Sequence, residues 1–282
     1  MKYWAFVFFL SLGTFGLSGF LYFKIHGQPV STTNAPPVVL ASEDDIELLF
    51  TGDIMLSRSV ESKMRERGDY AYPFRLIAEA TRGADITFGN LEGPISDQGA
   101  HQGSIYSFRA DPRVLAGLNF AGFDVLSLAN NHIWDWGVDA LLDTVRLLKE
   151  AGISSVGAGK NQEEADKPAV FCVAFGSSAS KLGKPSSPGC RFRVAFLAYT
   201  NLYPEGLIAG EDSPGISDPR LENIRKRVGD AREEADIVIV SFHWGEEYKT
   251  ESNDIQKKTR ARHGSRWRGL GDRSSSARGA GS

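Results

Sequence analysis

Residues 123–137 read Phe-Asp-Val-Leu-Ser-Leu-Ala-Asn-Asn-His-Ile-Trp-Asp-Trp-Gly. A short, mostly apolar run, VLSLA (125–129), stops at two carboxamides and an imidazole, Asn130-Asn131-His132. An apolar run of this length bounded by polar residues reads as a strand buried on both faces, as in a parallel sheet. The same arrangement recurs three times. LLFT (48–51) leads into Gly52-Asp53, DITF (85–88) into Gly89-Asn90-Leu91-Glu92, and IVIVSF (237–242) into His243-Trp244-Gly245-Glu246-Glu247. In open α/β sheets ligands bind beyond the carboxyl ends of the strands, so the four clusters are expected to converge. Carboxylate, carboxamide and imidazole groups so placed suit a divalent cation, with Asp53 and Glu92 supplying charge and His132 or His243 nitrogen. For Asp53 taken alone, helix N-capping stands as an equal alternative.

Around these clusters, apolar runs alternate with amphipathic stretches, which predicts an α/β fold with a mostly parallel, buried sheet. Strands are expected at 46–51, 85–88, 124–128, 169–175, 193–199 and 236–242, and helices at 57–67, 112–120, 138–151 and 219–234. Within the third helix Val138, Leu141, Leu142, Val145 and Leu148 recur at helical spacing, and Gly152 ends it. Residues 176–189 (GSSASKLGKPSSPG) have no apolar periodicity and read as a surface insertion between strands.

The chain has 282 residues, 41% of them hydrophobic, enough for a large core and incompatible with disorder throughout. A net charge of -3 gives no general attraction to nucleic acid or to an anionic surface. Cys172 and Cys190 cannot alone form a zinc site or a disulfide framework; two unpaired thiols are expected, one bridge across 176–189 being the alternative.

Residues 1–26 decide the compartment. Lys2 precedes an uncharged, mostly apolar run from 3 to 23, closed by Lys24, long enough to cross a bilayer. The run lacks a small-residue cleavage site, which favours an uncleaved anchor over a signal peptide. Lys2 and the terminal amine put the N-terminus inside and the domain outside the cytoplasm. Residues 27–45, with Pro29, Pro36 and Pro37, read as a linker, and Glu43-Asp44-Asp45 as a solvated domain edge.

The stretches LLFTGDIMLSR, ADITFGNLEGPI, FDVLSLANNHIWDWG and IVIVSFHWGEEY together resemble the CapA or PgsA type of poly-γ-glutamate capsule protein, over residues 46–258. LANNHxxDxG is specific to that family. The resemblance implies a calcineurin-like metallophosphoesterase fold, a layered sheet core flanked by helices with two divalent metals at its strand ends, Mn, Fe and Zn not being distinguishable. It implies Asp53 as ligand of one metal, Glu92 as bridging carboxylate, Asn131 as ligand of the second and His243 as a further ligand. His132 would be the acid or substrate-orienting group. The pattern departs from the metallophosphoesterases at two positions, Met55 for a His and Glu92 for an Asp.

Arg58 has two readings, a fork holding an anionic substrate group and a solvated helix-face arginine. Trp134 and Trp136 are expected to pack under the loop rather than line a groove. His26 and His101 receive no role. The expected function is a membrane-anchored component of capsule or poly-γ-glutamate biosynthesis, whose partners are the polymer or its membrane complex. A metal-dependent phosphoesterase and a non-catalytic binder of acidic polymer are the alternatives.

From Thr259 the pattern breaks, and residues 259–282 contain six arginines, one acid and no periodicity. Back-translated, Gly271 to Ala280 admit the codon choices GGT GAT CGG TCA TCA TCC GCA CGT GGT GCA. Shifted by one base, with a G following, they read Val-Ile-Gly-His-His-Pro-His-Val-Val-Gln. A further strand with a histidine motif is what the resemblance leads one to expect here. The tail is therefore read as a frameshifted translation, with a basic extension touching lipid headgroups or acidic polymer as the rival.

Overall fold

The computed structural model describes residues 9–10, 21–25, 46–173, 190, 192–203, 206–245, 254 and 257. In chain order its elements are β1 (Phe9–Leu10), β2 (Leu21–Ile25), β3 (Ile46–Ile54), α1 (Arg58–Arg67), a 3-10 turn (Tyr72–Phe74), α2 (Ala78–Gly83), β4 (Ile86–Leu91), α3 (Val114–Ala121) and β5 (Val125–Ser127). There follow α4 (Gly137–Glu150), β6 (Ser154–Val156), β7 (Ala158–Gly159), α5 (Gln162–Ala165), β8 (Ala169–Val173), β9 (Phe192–Thr200), β10 (Gly215–Ile216), α6 (Leu221–Glu234) and β11 (Ile237–Trp244).

Period-two alternation sorts most of these strands into two sheets packed face to face, while β7 and β10 form a separate antiparallel pair. In the first, β3, β4, β5 and β6 run parallel, with β2 antiparallel at the edge. In the second, β1, β11 and β9 run parallel and β8 antiparallel. Ile46, Leu48 and Phe50 of β3, Ile86 and Phe88 of β4, Val194, Phe196 and Ala198 of β9, and Ile237 and Ile239 of β11 fill the layer between the sheets. The opposite faces take helices. Leu126 on β5 packs in a cluster with Met64 of α1, Leu118 of α3, and Leu141 and Leu148 of α4. On the far side Leu197 and Tyr199 of β9 and Val238 and Val240 of β11 pack with Ile224 and Val228 of α6. The result is an α/β sandwich consistent with the metallophosphoesterase-like core expected from the sequence.

Aromatic rings join the two sheets through the middle. Phe88 of β4 stacks on Phe196 of β9 with centroids 5.7 Å apart and planes 10° apart. Phe50 and Phe171 close the group, their centroids 6.5 and 5.8 Å from that of Phe196.

One expectation is corrected. Cys172 and Cys190 are joined in a disulfide with Cα atoms 5.5 Å apart. The antiparallel pairing of β8 with β9 sets Cys172 opposite Arg193, which brings Cys190, two residues before β9, within bridging distance. Of residues 1–26 only 9–10 and 21–25 are described, as β1 and β2. β2, rich in aromatic and branched side chains, pairs along the edge of β3, and β1 pairs with the end of β11. Among the described residues no helix is long and apolar enough to cross a membrane. The rest of the expected anchor, the 27–45 linker, the 176–189 insertion, Glu246, Glu247 and the 259–282 tail lie outside the described residues.

Candidate functional site

The apolar alternation that builds the inter-sheet layer turns polar at its end. On β4 the inward series Ile86, Phe88 continues to Asn90; on β11 the series Ile237, Ile239 continues through Ser241 to His243. Asp53 would fall out of phase with Phe50, but the register of β3 shifts between these two residues, so Asp53 pairs with Asn90. A bulge of this kind re-aims a side chain.

Asn90 is the hub of the resulting network. Its amide nitrogen lies 2.7 Å from Asp53 Oδ1 and 3.2 Å from His243 Nδ1. His243 Nε2 lies 2.9 Å from Asn131 Oδ1. His243 Nδ1 also stands 3.4 Å from Asp53 Oδ1. Burial alone would raise the Asp53 carboxyl, yet the hydrogen bond and charge of His243, the Asn90 amide and the charge of His132 together hold it below its ordinary value.

Asn130, fully buried, fixes the turn that follows β5. Its amide donates to Asn90 Oδ1 (3.2 Å) and to the Leu91 carbonyl (2.8 Å), while its own Oδ1 accepts from the His132 amide (3.1 Å). This holds Asn131 against His243 and seats His132 on the same turn. His132 Nδ1 meets Asp135 Oδ2 at 2.8 Å, and the Phe108 ring covers the imidazole with centroids 4.1 Å apart.

The sequence-derived residues are thus distributed in three ways. Asp53, Asn131 and His243 share one hydrogen-bonded network through Asn90, with His132 on the turn beside it. Glu92 follows β4, half-buried, and its amide donates to the Ile54 carbonyl at 3.0 Å. Arg58 opens α1 at the rim with φ 55°, a left-handed conformation unusual outside glycine, and its guanidinium carbon is 5.9 Å from the ring centroids of both Tyr106 and Phe108. Met55 supplies no imidazole; its sulfur faces the Ser57 amide and hydroxyl at 3.3 and 3.2 Å. Trp134 packs against the helical core, and Trp136 lies beneath the Arg109 guanidinium at 3.5 Å. Sequence reasoning gave no role to Asn90, Asn130 or Asp135. The i, i+3 spacing of His132 and Asp135 was the available signal for the last.

Among the described residues no group of three or more His, Cys, Asp and Glu side chains is placed to hold a metal ion. The donor set is mixed instead. One carboxylate (Asp53), one imidazole (His243) and one carboxamide oxygen (Asn131) meet within hydrogen-bond range through the network, and these atom types suit a borderline or hard divalent cation.

Residues 47–263 match the family model described as bacterial capsule synthesis protein PGA_cap. The chain is similar to PGA biosynthesis protein CapA of Bacillus subtilis (strain 168), 28% identical over 228 residues, covering 79% of this chain and 55% of that protein. It is similar to capsule biosynthesis protein CapA of Bacillus anthracis, 30% identical over 234 residues, covering 80% and 53%. A probable polyglutamine synthesis accessory protein of Mycobacterium tuberculosis (strain CDC 1551 / Oshkosh) is 30% identical over 220 residues, covering 73% and 54%. The chain therefore spans about half the length of the curated relatives it matches.

Proposed function

Because this chain belongs to the PGA_cap family of bacterial capsule synthesis proteins, we propose that it serves capsule or poly-γ-glutamate biosynthesis outside the cytoplasm, tethered to the membrane through its N-terminal segment. The observation that carries the reading is the family match over 47–263, which spans all four strand-end clusters. The Cys172–Cys190 disulfide supports an oxidising compartment, since such bonds persist outside the cytosol. The uncharged run 3–23 supports the tether. The partners on this reading are the capsule polymer or the membrane complex that makes it. The test is complementation: a capsule-forming bacterium deleted for its own relative regains surface polymer with this full chain and not with Asp53→Ala. Absence of polymer with the unaltered, correctly expressed chain would sink the proposal.

A second reading, a metal-dependent phosphoesterase, is favoured by the Asp53, His243 and Asn131 donor set. These residues, with Glu92 beside them, would hold one or two divalent cations. A cation bound there stabilises negative charge on the attacking and leaving oxygens of a phosphoester. Of the chain's own groups, Asp135 orients the His132 imidazole through its Nδ1, and Arg58 offers a fork of donors to an anionic group. Hydrolysis of a generic phosphoester that stops with chelator and is absent from Asp53→Ala supports this reading. Polymer binding without turnover replaces it with the non-catalytic one.

A further inference from the structure

Asp135 lies outside the donor set, yet one of its oxygens joins two parts of the site. Oδ2 is 2.8 Å from His132 Nδ1 and 2.7 Å from the Phe108 amide nitrogen. An ionised carboxylate only accepts hydrogen bonds, so both nitrogens carry hydrogen. The pair is well shielded, with side-chain exposures of 10% for His132 and 6% for Asp135. The backbone of the same turn holds the neighbouring segment a second time: the Asp135 carbonyl accepts from Gln102 N at 3.0 Å and the Trp136 carbonyl from Ala100 N at 3.1 Å. Residues 100–108 are thereby fastened at both ends, with Ile105 and Tyr106 (92% and 60% exposed) between the fastenings. Phe108 covers His132, and Arg58 faces Phe108 and Tyr106.

We infer that Asp135 is a positioning residue, which fixes neutral His132 as its Nδ1–H tautomer with Nε2 unprotonated and, through the same oxygen, sets segment 100–108 as a rim over that ring. The inference rests on the reading of the strand-end cluster as the working site. It adds to that reading a link between rim and imidazole: a ligand that moves Phe108 alters the second bond to the oxygen that orients His132. Without the carboxylate, His132 Nδ1 and the Phe108 amide both lose this partner.

The test uses the full chain with 15N-labelled histidine. Of its five histidines, His132 is assigned by the signals missing from His132→Gln. Long-range proton–nitrogen spectra at a pH where the ring is neutral read its tautomer, and amide deuterium exchange reads the 100–108 segment. The unaltered chain is expected to show Nδ1 protonated and Nε2 bare. In Asp135→Ala the ring reverts to the Nε2–H form that free imidazole prefers, and exchange at Phe108 quickens about tenfold, the worth of one hydrogen bond. Asp135→Asn keeps an acceptor oxygen and restores slow exchange at Phe108. An Nε2–H ring in the unaltered chain, or an Asp135→Ala spectrum and exchange pattern identical to it, overturns the inference. Should Asp135→Ala not fold, the unaltered chain and Phe108→Ala decide, the latter retaining the Nδ1–H ring. Complementation of capsule synthesis is scored separately, so the clamp can fail while the functional reading stands, and the reverse.

Discussion

Nε2 of His243, at the end of β11, lies 2.9 Å from Oδ1 of Asn131, 112 residues earlier in the chain on the turn after β5. The strands β5 and β11 that carry them belong to different sheets, and among the described residues no backbone ladder joins those sheets. What holds this contact is the apolar layer between them. The site is therefore a product of sandwich packing rather than of any one strand, and perturbations of packing and of chemistry can be told apart.

His243→Ala removes the imidazole while leaving the inter-sheet layer apolar. Divalent-cation binding, measured by titration calorimetry of the full chain with Mn2+ and Zn2+, is expected to weaken at least tenfold, the scale seen when even a supporting group of a metal site is lost. Thermal stability should fall only modestly, by about 1–3 kcal/mol for the buried partners left unsatisfied. Unchanged affinity would remove His243 from the donor set.

Phe88→Ala acts on the other term. The ring is 1% exposed and stacked on Phe196, so its loss leaves a cavity between the sheets at a cost of about 3–5 kcal/mol. Urea unfolding followed by circular dichroism reads the change. Cation affinity in the fraction that remains folded should stay close to that of the unaltered chain, because the Phe88 ring belongs to the apolar layer and offers no donor atom to a cation. A loss below about 1 kcal/mol means that the two sheets do not pack on this ring.

The strand runs and the polar clusters at their ends were legible because both are local: buried parallel strands are continuous apolar stretches, and their ends carry the chemistry. What stayed hidden depends on partners distant in sequence. The sequence reading names Asn90 only as a member of the cluster that ends in Glu92, but the phase of β4 turns it inward and the register shift between Phe50 and Asp53 brings Asp53 beside it. On α4 the apolar stripe named Leu141 and Leu148 correctly, yet the buried face also takes Thr144, whose hydroxyl accepts from the Ile95 amide at 3.0 Å. No periodicity announces a threonine satisfied that way. β6 and β7, at three and two residues, are too short to carry a pattern, and the disulfide needed the antiparallel register of β8 and β9 before the two cysteines could be matched.

The Cys172–Cys190 bond closes a short loop between the edge strand β8 and β9. A loop of this size corresponds to about 3 kcal/mol of stabilisation in the chain-entropy description. Chain recovered from an oxidising compartment is expected to resist alkylation until it is reduced, and Cys172→Ser with Cys190→Ser to unfold at lower urea without change at the strand-end site. Free thiols in such material would contradict the bond, and with it one support for action outside the cytoplasm.

Acid stability offers a last check, away from the site. The Asp218 side chain is 1% exposed, and burial alone would raise its carboxyl; the Arg220 side chain (Nε to Oδ2, 2.7 Å), the Arg220 amide (2.9 Å) and the Arg220 charge outweigh this and lower it. With the folded value below the unfolded one, the unfolded chain binds the proton first, so this group's stabilisation is fully present above the ordinary carboxylate range and is lost as pH falls through the lowered folded value. Arg220 is itself 67% exposed, so salt should screen part of the effect. The expected outcome is that Asp218→Asn is less stable than the unaltered chain near neutrality, and that the gap narrows as pH falls into and below the carboxylate range. Unfolding curves taken across that interval at low and high salt measure it; a gap that widens toward acid would reverse the sign of the argument and dissociate Asp218 from Arg220.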